Sequence, residues 1–246
     1  MIILFTGCER HSSKGLHQSV NVDTTSMLYV FYPSYKSVDF VCGEQPSRAD
    51  TSIVFCCSAA FTKERKFSFS HDNIGGAHTT LGIMYKGYEC PEANGCFVFY
   101  NGLWKFTTDS VSYYMNIASK KHGIGFCQMT ILPESSPNET VSADLFSMGI
   151  LRCYIDRMGK KRIRSRKQYY RALCEKDGKL CIAELKKPGT FQDFAISLKA
   201  EGIQKAIYLD TGLGWDYLWY RTSHFSIRTL HPYIHPFVSN WLVFKN

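Results

Sequence analysis

Asp210 stands where an apolar run, Ala206-Ile207-Tyr208-Leu209, gives way to Thr211-Gly212-Leu213-Gly214. A buried strand that delivers a carboxylate into a glycine-bearing loop can build a site, because glycine lets the backbone approach a ligand closely. The same residues also serve a plain turn, with Asp210 as its cap. Four other places carry polar groups among apolar neighbours. Arg171 and Glu184 lie in or at the end of two apolar runs, and Gln128 is the polar member of a third. The loop from His71 to His78 holds two histidines, Asp72 and Asn73 around the pair Gly75-Gly76. A charge within an apolar strand faces either solvent or a polar cavity. His71 and His78 are not at the spacing of a helical metal pair, so this loop reads as a metal-free polar segment.

These residues need elements to hold them. Phe191, Phe194, Ala195 and Leu198 make one apolar stripe at helical spacing. Thr190 and Asp193 suit a capping box, and Gly202 suits the helix end. Asn101-Gly102 joins two apolar runs and is a hairpin signal, as is Asp177-Gly178 between residues 169–174 and 179–184. Residues 26–32, 38–41, 52–57 and 241–244 read as further strands, and 123–132 as one strand entered through two glycines. The tail with His224, His231 and His235 reads as a surface wrap, since Pro232 argues against a helix there. Neither a linker nor an internal repeat splits the chain. The expected organisation is a tether over 1–24 and one domain over 25–246.

The chain has 246 residues, 45% of them hydrophobic, enough for a full core. Its net charge of +8 favours an anionic partner, with much of the excess in the run from Lys160 to Lys167. Such a run is a solvated face or a phosphate-collecting one; nothing else resembles a nucleic-acid module, and nucleic acid is not expected as a partner. No stretch approaches the roughly 20 apolar residues of a membrane-spanning helix. None of the ten cysteines forms a Cys-x2-Cys pair, which argues against a zinc ribbon or thioredoxin motif. Cys90 and Cys96 flank a loop and could bridge in an oxidising compartment. Met1 to Cys8, MIILFTGC, has the look of a lipoprotein signal's end, which would make Cys8 a lipid-carrying membrane attachment on an exported, periplasmic or outer-membrane protein. It lacks the charged region of a full signal, and the chance alternative is a cytoplasmic protein.

Residues 170–182, the helix after them and Ala206 to Trp215 together resemble the phosphodiester glycosidase family, the type of N-acetylglucosamine-1-phosphodiester alpha-N-acetylglucosaminidase. The likeness is closer to its Bacteroides-type branch. Cys57-Ser58-Ala59-Ala60-Phe61-Thr62, the loop from His71 to His78, the hairpin at Asn101-Gly102 and Gly125-Phe126-Cys127-Gln128 fit in the same order, so the resemblance spans about residues 25–221. Many members have Asp-Gly-Gly-Gly-Ser where this chain has Asp210 to Gly214, and Asn-Gly-Gly-Phe-Phe where it has Cys57 to Phe61.

The resemblance implies an α+β domain with a mixed, mostly antiparallel sheet, flanking helices and a surface cavity. It implies cleavage of a sugar from a sugar-1-phosphodiester without metal or cofactor. By position, Asp210, Gly212 and Gly214 would line the cavity, joined by Arg171, Gln128, Asn73 and His78. Arg171 could clamp the phosphodiester through paired donors, and Asp210 could act at the anomeric carbon as nucleophile, base or fixed charge. Glu184, then His78, are the candidates for a second acid. A binding module with the same cavity is the alternative. The altered motifs favour it, as do Trp215, Tyr217, Trp219 and Tyr220, which could stack on a glycan or pack the core.

Overall fold

Asn101 and Asp177 adopt φ of 51° and 52°, each followed by a glycine at positive φ. Two positive-φ residues in a row match the twist of the strands they join, so both hairpins close tightly. The computed structural model describes residues 19–63, 69–133, 151–155, 158–212, 216–223, 226–234 and 238–246. In chain order the elements are β1 (Val20–Thr24), β2 (Leu28–Pro33), β3 (Ser37–Cys42), β4 (Ile53–Ser58), a 3-10 turn (His71–Asn73), β5 (His78–Thr80), β6 (Ile83–Tyr85), β7 (Gly95–Tyr100) and β8 (Leu103–Thr107). Then come α1 (Val111–Lys120), β9 (Ile124–Gln128), β10 (Thr130–Leu132), β11 (Leu151–Ile155), β12 (Lys161–Ser165), β13 (Arg171–Lys176) and β14 (Lys179–Leu185). The chain finishes with α2 (Phe191–Ala200), β15 (Lys205–Leu209), β16 (Leu218–Ser223), β17 (Ser226–His231) and β18 (Asn240–Lys245).

Three sheets result, in the orders β1-β2-β14-β13-β15-β10, β17-β16-β4-β18-β3 and β6-β5-β9-β7-β8, with β11-β12 as a separate ribbon. The strand pairs are antiparallel, and one isolated parallel bridge joins Gly75 to Tyr88. The architecture is the α+β class expected. A shared core holds Phe31, Phe55, Phe97, Phe126, Leu173 and Ile182 between the sheets, with Phe40 stacked on Phe126 at 5.1 Å. On the order of 2 kcal/mol for each buried large side chain makes this core the main source of stability.

Helix α2 forms where its stripe foretells. Thr190 Oγ1 accepts from Asp193 N and the Asp193 carboxylate accepts from Thr190 N. Its buried face, Phe191, Phe194 and Leu198, packs with Tyr170 and Tyr208 on the six-stranded sheet. Helix α1 covers β7 and β9 through Met115 and Ala118; with Val111 and Tyr114 these form an apolar stripe at helical spacing, a signal not used among the expected elements.

Three expectations need correction. Residues 123–132 are two strands in different sheets, because the Gln128 side chain accepts the Met129 N–H at 2.9 Å and the chain leaves β7 for β15. Val20–Thr24, within the stretch read as a tether, is an edge strand on β2, with Val20 wholly buried. The tail after Arg221 is not a mere wrap: β17 pairs with β16 and brings His231 against Glu184. Trp215, Gly214, Cys8, His224 and His235 lie outside the described residues.

Candidate active site

Strand β15 lies beside β13, with Leu209 opposite Arg171, so Asp210 emerges just past the edge of that pairing. Its N–H donates to Ala59 O at 2.8 Å, which ties the start of the aspartate loop to the chain leaving β4. Asp210 Oδ1 accepts the Gly212 N–H at 2.9 Å. A Cβ on Gly212 would stand 3.2 Å from that oxygen, so glycine leaves the approach clear. Beneath, the Tyr208 hydroxyl shares a hydrogen bond with Thr211 Oγ1 and accepts from Thr211 N.

Asp210 opens onto a cleft of about 330 Å³, lined among the described residues by Phe61, Thr62, Tyr88, Cys90, Glu92, Arg166, Gln168, Tyr208, Asp210 and Gly212. Burial raises the Asp210 carboxyl to about 7, against the smaller opposing pull of the Gly212 N–H and Arg171. A carboxyl poised there changes charge near neutrality, as an acid or base must. Glu92 is a second carboxylate in the same cleft and accepts a hydrogen bond from Cys90 Sγ. Arg166 supplies positive charge from the end of the basic run, and among the described residues the buried Gln168 Oε1 has no hydrogen-bond partner. A buried amide oxygen in that state is costly until a donor reaches it, and a sugar hydroxyl is such a donor.

The other residues expected at the site take different places. Arg171 is wholly buried. Its Nε donates to Glu184 Oε2 at 2.6 Å, its Nη1 to Tyr217 O at 3.2 Å and its Nη2 to Asp216 O at 2.6 Å. A guanidinium so engaged cannot also present a fork to a phosphate. Glu184 in turn meets His231 Nε2 at 2.7 Å. Burial alone would raise the Glu184 carboxyl, but Arg171 and His231 outweigh it and hold it below the usual carboxylate range. This network therefore braces the β13–β14–β16 junction behind Asp210. Gln128 is buried with its Nε2 donating to Ala59 O at 3.3 Å, the carbonyl that also holds Asp210 N. It props the floor rather than lining the cleft.

Asn73 sits buried in the 3-10 turn and His78 at the start of β5; neither lines the cleft. Their loop backs the cleft wall, since Tyr88 N donates to Ile74 O and Gly76 N to Tyr88 O. His71 and His78 instead gather with Cys42 from β3, all three ligand-type atoms within 4.8 Å of one another. Burial lowers the His78 ring to about 4 and also lowers His71, so both are neutral near pH 7. Burial likewise pushes the Cys42 thiol up to about 12. Cys90 and Cys96 are free thiols.

Sequence reasoning missed Glu92, Gln168, Tyr88 and Asn240. The last grips the altered segment after β4: its Oδ1 accepts Ala60 N at 2.7 Å, and its Nδ2 donates to Ala60 O and Thr62 Oγ1. Arg166 was visible only as one member of a basic run. Tyr217, Trp219 and Tyr220 are core residues, not a stacking platform.

The fold is one shared with a phosphodiester glycosidase. The solved structure of the zebrafish N-acetylglucosamine-1-phosphodiester alpha-N-acetylglucosaminidase catalytic domain, auto-inhibited by its pro-peptide, is similar with a TM-score of 0.57. The match covers 96% of this chain and 85% of that one at 12% identity, a likeness of fold. No family model and no curated protein matches the sequence.

Proposed function

We propose that the cleft hydrolyses a sugar-1-phosphodiester, with Asp210 acting at the anomeric carbon. The observation that carries this reading is Asp210 itself, a carboxyl raised to about 7 in a cleft that also holds Glu92 and Arg166. Arg166, which lines the cleft, takes the phosphate clamp, since the Arg171 guanidinium is engaged by Glu184 and two backbone carbonyls. Ionised Asp210 accepts a proton from water as the oxygen attacks the anomeric carbon. The carbon–oxygen bond to phosphate breaks and the phosphate monoester leaves with the electron pair. A phosphate leaves without prior protonation, so one base with a nearby cation suffices. Gln168 Oε1 accepts a sugar hydroxyl, and Phe61 and Tyr88 supply apolar walls for the ring.

Within this reading the chain belongs to the Bacteroides-type branch and is exported, anchored through a lipidated Cys8. Support for the anchor is the segment MIILFTGC alone. Loss of a metabolic fatty-acid label in Cys8→Ser tests it.

Incubating the purified chain with a panel of sugar-1-phosphodiesters tests the chemistry. Free sugar released by the wild type and not by a folded Asp210→Asn supports hydrolysis. A second reading, glycan binding without turnover, draws on Cys57 and Gly214, which stand where the family motifs have an asparagine and a serine. Saturable binding with no product would favour it.

A further inference from the structure

We propose that Cys42, His71 and His78 form a zinc-class metal site that joins two of the sheets, separate from the Asp210 cleft. Cys42 ends β3, the edge strand of one five-stranded sheet, and His78 begins β5 of the other. His71 comes from the 3-10 turn between them. Three such donors within 4.8 Å need only a small adjustment to reach the roughly 3.3–3.7 Å separations around a tetrahedral zinc. His71 Nδ1 and His78 Nε2 are 2.9 Å apart across a hydrogen bond, so that pair has only a few tenths of an ångström, on the order of 0.4 Å, to open.

The surroundings suit ligation. His78 Nδ1 faces Gly76 O at 3.3 Å, so its N–H is donated there and Nε2 keeps the lone pair turned toward His71. Carbonyl partners of this kind fix the tautomer of ligating histidines. Tyr85 stacks on His71 with ring centroids 3.4 Å apart, Phe69 meets it edge-on, and Phe40 meets His78 edge-on. These rings give the donors a low-dielectric shell, while Cys42 and His71 are only partly buried and stay reachable. Without metal, one hydrogen lies between the two imidazoles. On binding, that hydrogen moves to Nε2 of His71, and the Cys42 thiol loses its proton to solvent as the metal–sulfur bond forms. One proton leaves for each divalent ion, and a water completes four ligands. Two nitrogens and a thiolate favour zinc over calcium or magnesium.

Titration of the full, metal-stripped chain with Co2+ and with Zn2+ tests the site. The expected result is one equivalent bound, one proton released, a thiolate-to-cobalt absorption band and a raised Tm. Cys42→Ser should abolish the band, and His71→Gln should weaken binding roughly tenfold or more. Asp210→Asn should leave binding unchanged, which keeps this test apart from that of the cleft. Should Cys42→Ser fail to fold, His71→Gln carries the test, as His71 is only partly buried. No thiolate band, a band that persists in Cys42→Ser, or unchanged affinity in His71→Gln would overturn the proposal.

Discussion

Arg171 Nε lies 2.6 Å from Glu184 Oε2, and both side chains are shut away from solvent. A buried ion pair broken on one side leaves a charge that cannot be solvated, at about 3–5 kcal/mol. Glu184→Gln and Arg171→Met should each lower stability by that order in urea unfolding. The double variant Arg171→Met with Glu184→Leu should lose less than the sum, though not recover fully, since Tyr217 O and Asp216 O lose their donor. Additive losses would show that the pair is not coupled.

Asp210 makes a stability prediction as well as a catalytic one. Its folded carboxyl titrates near 7, against roughly 3.9 unfolded. Between those values the folded chain holds a proton the unfolded chain has released, so stability falls as pH rises through that window. The slope approaches about 1.4 kcal/mol per pH unit and flattens above 7. Asp210→Asn carries no such charge. The variant should match the wild type near pH 4 and be more stable than it at pH 8. Parallel curves for the two proteins would contradict the raised value.

Arg166 should bind rather than react. A charge-assisted bond to phosphate contributes about 1.5–3 kcal/mol. Arg166→Gln should therefore raise KM for a sugar-1-phosphodiester about ten- to hundredfold, with kcat changed much less. Weakened competition by a phosphate monoester is the accompanying readout. An unchanged KM would move the phosphate elsewhere.

Much of the scaffold could be read before any coordinates. The two positive-φ hairpins, the capped helix α2 and the strand leading to Asp210 are local features, each set by neighbours in sequence. The cleft was less legible because its partners come from remote segments. Arg171 and Glu184 share a register position on adjacent strands, which pairs them with each other rather than with a ligand. That pairing follows from the Asp177-Gly178 hairpin and could have been counted from the turn. Glu92 and Arg166 carry no periodic or motif signal. Cys42 joins His71 and His78 only because β3 and β5 meet across a sheet boundary.

Asn240 is a residue that only the fold exposes. Its amide clamps both backbone groups of Ala60 and the Thr62 hydroxyl. Asn240→Ala leaves buried partners unsatisfied and should cost about 1–3 kcal/mol. Activity should fall further than this loss of fold explains, because Ala59 and Thr62 frame Asp210. Thermal unfolding beside turnover at a temperature where the variant is folded separates the two effects.

The most direct measurement is the pH profile of kcat/KM for release of free sugar from a sugar-1-phosphodiester, by wild type and Asp210→Asn. A wild-type rate that rises with pH to a plateau through about 7, with no release by the folded variant, is the expected result. Wild-type turnover that Asp210→Asn retains, or that ignores pH across that window, would contradict a carboxylate base at position 210.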